Sequence, residues 1–222
     1  MTAPEGEVGG APEPGDGFYH AGSTALQAEF GTTRLAGRIR DVHVAPALGD
    51  NERSFIERSD SFFLATADDR GRPACSYKGG DPGFVRVLDD RTIAFPVYDG
   101  NGMYLSAGNI AVNPEVGLLF VDLERGYRLR LSGRAVLVRD PDLVGLWPEA
   151  QMAVRVEVRE AFPNCPRYVH RYRLVERSRF VPHEGVETPV PEWKRETWAR
   201  DVVEPDAHAM DEGPAIGDKE TR

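Results

Sequence analysis

The stretch Ser61–Phe95, SFFLATADDRGRPACSYKGGDPGFVRVLDDRTIAF, decides the fold. SFFLATA is short, apolar and aromatic, as a strand requires, and DDRGRP after it is turn chemistry. PACSYK then reads as a second strand, which makes the pair a hairpin. GGDPG is a second breaker, and FVRVL and RTIAF flank a further turn signal at Asp89-Asp90. Downstream, EVGLLFVDL (115–123) is continuously apolar, as expected of a strand covered on both faces. ERG turns the chain into YRLRLSGRAVLV (127–138), where Tyr127, Leu129 and Leu131 alternate with Arg128 and Arg130. AVRVEVREA (153–161) repeats that two-residue period.

Helical patterns are few. Residues 21–37 form a weak one, with Leu26 and Phe30 four apart. Residues 50–59 form a better one, capped by Asp50 and carrying Phe55 and Ile56. Met103–Ala111 follows a Gly-Asn-Gly turn and stops before Asn113-Pro114, and Pro166–Leu174 begins with proline at a first helical position. No long helix recurs between the strands, which excludes a doubly wound sheet. Six or seven closely spaced strands argue a mainly β, antiparallel barrel with flanking helices.

The chain has 222 residues, enough for one large domain or two small ones, and a net charge of −9. Residues 1–20 hold four acids and no base, and residues 201–222 hold seven acids and two bases. The stretch between them is balanced, so the acidity belongs to the ends, read as disordered tails. No basic stretch stands out, so nucleic-acid binding is not expected. No apolar run reaches the length of a membrane span, and MTAPEGEVGG has neither a basic nor an apolar signal region, so no secretory signal is expected. With only Cys75 and Cys165, no disulfide framework is available, and a reducing, cytoplasmic location is expected.

The five histidines show no metal-ligand spacing, and no serine has a nucleophile-elbow setting. Cys75, in mid-strand, reads as a small buried hydrophobe, and Cys165 as a packed thiol at a helix start. The segment Lys78–Gly83 lacks the lysine and hydroxyl residue that end a P-loop. The turn Asp99-Gly100-Asn101-Gly102-Met103 opens a helix, whose free backbone N–H groups suit an anion; an ordinary helix-initiating turn has the same sequence.

Taken in order, the elements carry more than any one of them. SFFLATADDRGRP with ACSYKGGDPGFVRVLDDRTIAF, then DGNGMYLSAGNIAVNPEVGLLFVD, then RLRLSGRA, resembles the pyridoxamine 5′-phosphate oxidase-like superfamily, the FMN-binding split barrel. The resemblance covers about residues 55–174. It implies FMN held between two copies of the chain. By position it places Ser76, Tyr77 and Lys78 on the strand lining the flavin, and Pro96, Val97 and Tyr98 facing the ring. Asn101, Gly102 and Met103 match the family's phosphate-contacting helix start. Arg128 and Arg130 match the strand whose polar residues approach the flavin or its phosphate; a solvated face is their other reading.

Two departures bear on function. The family's helix-start contacts usually include basic side chains, and none stands at 101–104, so either Lys78 or the strand arginines neutralise a phosphate, or the site is weaker or binds another ligand. The true vitamin B6 oxidases end in an Arg-x-His element, whereas this chain offers VPEWKRETWARD, so that activity is not expected. The expected organisation is an acidic tail (1–20), a helical segment (21–60), a split barrel (61–184), a docking segment carrying Trp193 and Trp198 (185–200), and a second acidic tail (201–222). The expected function is a homodimeric, FMN-dependent oxidoreductase acting on an unknown small molecule. An oxidoreductase of the same fold that binds F420 or another cofactor, and a flavin-binding module without turnover, are the alternatives.

Overall fold

Phe62 is the hub of the core. Its ring stacks on Phe120 at 5.0 Å, meets Phe95 edge-on at 5.0 Å and stacks on Phe84 at 5.8 Å. Such aromatic pairs add about 0.5–1.5 kcal/mol each beyond the area they bury. The computed structural model describes residues 17–203, so the expected acidic tails lie outside the described residues except at 17–20 and 201–203. The described residues divide into two units, which part between Ala45 and Pro46.

In the first unit, helices α1 (Ala21–Glu29) and α2 (Thr33–His43) replace the single helix expected over 21–37. Gly31, at φ +65°, breaks them apart in a backbone region that favours glycine. Tyr19 donates its hydroxyl to the Ala36 carbonyl at 2.9 Å.

The second unit opens with α3 (Asp50–Arg58), which buries Phe55 and Ile56, and continues as one antiparallel sheet. Its strands are β1 (Ser61–Ala67), β2 (Pro73–Gly79), β3 (Arg86–Val87), β4 (Thr92–Val97), β5 (Glu115–Asp122), β6 (Tyr127–Val138) and β7 (Met152–Asn164). Among the described residues the order is β2-β1-β5-β6-β7-β4-β3, with β2 and β3 left as edges. The sheet therefore curls without closing, which is the mainly β split barrel that the sequence predicts. Phe62, Leu64 and Thr66 of β1 point into the core, and Phe63 and Ala65 point out. At the Ser132/Gly133 irregularity the ladder between β6 and β7 shifts register. A Cβ on Gly133 would lie 2.1 Å from the Glu157 carbonyl oxygen, so only glycine allows these strands to approach there.

Several expectations need correction. Residues 166–174 are not a helix. One turn closes with the Val169 N–H on the Pro166 carbonyl, and the chain then runs extended. Its N–H groups go elsewhere: Tyr172 donates to the Leu123 carbonyl and Leu174 to Glu124 Oε1. A helix would also have set Arg167 against Arg171, a like-charge pair four apart. β5 buries only one face, since Gly117, Leu119 and Val121 on the other are half-exposed. Cys75 is exposed because β2 is an edge strand, and Cys165 sits exposed after β7 rather than at a helix start. Of FVRVL only Arg86–Val87 pairs, because the Asp81–Phe84 turn occupies its beginning.

Two helices complete the unit. α4 (Leu105–Val112) starts two residues later than expected, after Tyr104 in the left-handed region at φ +48°. α5 (Pro141–Val144) is a short helix that Asp140-Pro141, a cap followed by proline, signals in the sequence. No helix among the described residues is long and apolar enough to cross a membrane.

Candidate functional site

A cleft of about 280 Å³ opens where β2, the end of β4 and α4 meet. Tyr77, Lys78 and Gly79 line it from β2, Pro96 to Gly102 from the end of β4 and the loop after it, and Ser106, Ala107 and Ile110 from α4. The walls are held by hydrogen bonds between elements. Ser76 and Ser106 join β2 to α4, and Asn109 donates its Nδ2 amide to Thr66 Oγ1 at 3.0 Å. Asn113 Nδ2 donates to the Asp68 carbonyl at 3.3 Å, which seats the other end of the helix.

The electrostatics are set by few groups. Lys78 is the cation on this lining, is half-buried, and has no carboxylate partner among the described residues. Burial holds its pKa below the ordinary lysine value. Asp99, on the rim, is taken by Lys194 from the 3-10 turn Glu192–Arg195. The Tyr98 phenol is pushed up to about 12, chiefly by burial and then by Asp81 and Glu149, against the opposing charge of Arg86. At neutral pH Tyr98 is thus an uncharged hydroxyl donor, unsuited to take a proton.

Of the residues the sequence singles out, Tyr77, Lys78, Pro96, Val97, Tyr98, Asn101 and Gly102 meet on this lining. Ser76 lies one hydrogen bond behind it, through Ser106. Met103 is exposed beside it. Asn101 does not stand free: its Oδ1 accepts the Met103 N–H at 3.1 Å, so that backbone group is already engaged. A Cβ on Gly100 or Gly102 would meet nothing within 4 Å, so the turn leaves room for a ligand. Arg128 and Arg130 are not part of the cleft. They pair with Val121 and Leu119 of β5 on the outward face, where Arg130 is exposed. Arg128 donates to the Cys165 carbonyl, and its Nε is buried without a partner.

The sequence reading gave no site role to Ser106, Tyr104 or Lys194. Tyr104 donates its hydroxyl to Gln151 Oε1 at 2.8 Å. Lys194 reaches Asp99 across 95 positions of chain, which no local pattern announces. Trp193 and Trp198 stack on each other at 5.9 Å, Trp198 staying exposed while Ala199 beside it is buried. Trp147, also missed, is buried and donates its indole N–H to the Phe84 carbonyl at 2.7 Å.

Around Phe63 the outward face of the sheet carries an apolar patch, bordered by Arg130 opposite Leu119 and Arg128 opposite Val121. The Phe63 ring, 42% exposed, lies 5.9 Å edge-on from Tyr77, 64% exposed, and pairs on its other side with Leu119. Ala65 and Gly117 continue the face as small residues.

A family model described as pyridoxamine 5′-phosphate oxidase matches residues 48–165, more than half of the chain. No curated protein matches. Among solved structures the chain is similar to HupZ of Group A Streptococcus, at TM-score 0.43 and 21% identity, covering 52% of this chain and 93% of that one. It is similar to HutZ, a heme storage protein of Vibrio cholerae, at 0.39 and 21%, covering 52% and 93%. It is also similar to an FMN-binding protein of Syntrophomonas wolfei, at 0.40 and 11%, covering 63% and 97%. At these scores and identities the three carry no argument about what this chain binds.

Proposed function

This chain belongs to the pyridoxamine 5′-phosphate oxidase family, and from that premise we propose that it is a homodimeric flavoprotein that binds FMN and serves as a flavin-dependent oxidoreductase on a small molecule. The observation that carries the reading is Lys78: a half-buried ammonium without a carboxylate partner, on a cleft that also holds aromatic walls and an open glycine turn. An uncompensated cation in a partly desolvated cleft is costly unless an anion joins it. The donor set fits FMN. Lys78 and the backbone of the Gly100–Gly102 turn suit a phosphate, and Val97, Tyr98 and Tyr77 offer flat or apolar surface to a ring.

When bound, FMN supplies the two-electron redox chemistry. The chain's own residues bind and orient. Lys78 holds negative charge, Tyr98 donates its hydroxyl as a neutral phenol, and the Ser76–Ser106 contact fixes the distance between the walls. No side chain of the cleft is poised as a general base, in keeping with chemistry carried by the cofactor.

The homodimer is part of the same reading. A cleft of about 280 Å³ falls just below the 300–1,000 Å³ usual for ligand pockets, so one chain supplies only part of an enclosure. The apolar patch on the outward face around Phe63 and Leu119 gives a second copy a surface to cover. A cytoplasmic location also belongs to the proposal, on the ground that both cysteines are free and exposed.

The absorption spectrum of freshly purified protein, with identification of the chromophore released on denaturation, tests the assignment. An oxidised-flavin spectrum and one FMN per chain support it. A deazaflavin or heme spectrum, or colourless protein that takes up no FMN on reconstitution, contradicts it.

A further inference from the structure

Among the described residues the lining of the Lys78 cleft carries two charged side chains, the Lys78 ammonium and the Asp99 carboxylate, and taken alone these two cancel. We propose that Lys194, which is not on that lining, decides the charge of the cleft. By taking up the Asp99 carboxylate it leaves Lys78 as the net charge there, and so makes the cleft select a phosphate-bearing flavin over a neutral one. Lys194 is thus a positioning residue that acts through Asp99. The proposal rests on the FMN reading for the identity of the ligand, and on the Lys194–Asp99 contact for the selection of an anion.

The contact is held from a fixed base. Lys194 stands in the 3-10 turn Glu192–Arg195, which follows Pro191. Its N–H donates to the Pro191 carbonyl at 3.1 Å, and the Glu196 N–H closes on the Trp193 carbonyl at 3.2 Å. The segment is fastened on both sides of the turn: the Thr188 N–H donates to Glu149 Oε1 at 3.2 Å, and Ala199 is buried. Trp193 stacks on Trp198, and the Lys194 ammonium lies 5.9 Å from the centre of the Trp193 ring, within reach of a cation–π attraction. The Lys194 side chain is 15% exposed and that of Asp99 49%. An ion pair with one partner this exposed adds little to stability. Its weight lies in the charge it removes from the cleft.

Asp99 stands next to Gly100, at the start of the turn that has room for a ligand. A bare carboxylate there would repel a phosphate and compete with it for Lys78. At the edge of a partly desolvated cleft such charges act several times more strongly on one another than in bulk water. A neutral ribityl chain would feel little of this. The discrimination between the two flavins therefore depends on whether Asp99 is covered. Lys194 lies past residue 165, where the match to the family model ends, so the cover comes from this chain's C-terminal segment and not from the matched barrel.

Fluorescence titration of the apoprotein with FMN and riboflavin tests this, on wild type, Lys194→Met, Lys194→Arg, Asp99→Asn and the double variant Asp99→Asn with Lys194→Met. Lys194→Met keeps an apolar stem beside Trp193 and should weaken FMN about three- to tenfold, with riboflavin staying within about twofold. Asp99→Asn breaks the same contact but removes the carboxylate, so FMN affinity should hold or rise. The double variant and Lys194→Arg should stay within about twofold of wild type. A pair that only tethers the C-terminal segment behaves differently: both single variants weaken FMN alike, and riboflavin falls in step. Either of those results overturns the proposal, as does an unmoved FMN affinity in Lys194→Met. Inorganic pyrophosphate, titrated by calorimetry, is the second probe. Pyrophosphate binding that follows the same order of variants, in a protein that takes up no FMN, sinks the cofactor reading and leaves this one standing. A wild type that binds neither anion overturns both.

Discussion

Ser76 and Ser106 meet hydroxyl to hydroxyl at 3.0 Å, and so tie the edge strand β2 to helix α4 behind the cleft. They stand 30 positions apart in the chain, both half-buried. Each hydroxyl gives the other its partner away from bulk water. Ser106→Ala should cost about 0.5–1.5 kcal/mol of stability. A thermal melt should show a drop of a few degrees, and FMN affinity should fall modestly as the walls loosen.

Lys78 gives the cleft a pH dependence whose sign follows from its lowered pKa. Between the depressed folded value and the ordinary unfolded one, the unfolded chain binds more protons, so this group makes stability rise with pH through that window. A bound phosphate favours the charged ammonium and reverses the depression. FMN affinity should therefore weaken as pH climbs through the lowered Lys78 pKa. In Lys78→Met that slope should vanish, which titrations of FMN between about pH 7 and 10 will read.

Gly133→Ala places a methyl group against the Glu157 carbonyl at the β6–β7 irregularity. Backbone cannot yield as a flexible side chain does, so the cost should sit at the upper end of about 1–3 kcal/mol. Denaturant unfolding should show a lower midpoint at an unchanged slope.

The apolar patch on the outward face predicts the assembly. A stable dimer at micromolar concentration should bury more than roughly 2,000 Å². Leu119→Glu, in the middle of that face beside Phe63, should give a monomer by light scattering and lose FMN with it. A monomeric wild type in the presence of FMN contradicts the dimer.

How much of this was legible in the sequence depended on how local each signal was. Period-two alternation marked β6 and β7, and the SFFLATA and PACSYK pair marked β1 and β2, because strand faces are written residue by residue. The meeting of Lys78 with Tyr98 and Asn101 followed from the order of the elements, which the family resemblance supplied. The segment after Pro166 misled because its start signal is local, whereas the groups that straighten it, Leu123 and Glu124, lie on a distant turn. Arg128 and Arg130 stand on β6, which gives no residue to the cleft lining, and their register turns them to the outward face. The Lys194–Asp99 pair joins two loops, and loop pairings have no period to read.

Titration of the apoprotein with FMN and riboflavin, wild type against Lys78→Ala, tests the central claim most directly. The account predicts saturable FMN binding by the wild type and a loss of about ten- to a hundredfold in the variant, the cost of one charge-assisted hydrogen bond. Lys78 at the phosphate leaves riboflavin affinity almost untouched; Lys78 beside the ring weakens both flavins together. FMN affinity that is absent in the wild type, or identical in the two proteins, would contradict the assignment of the Lys78 cleft to the cofactor.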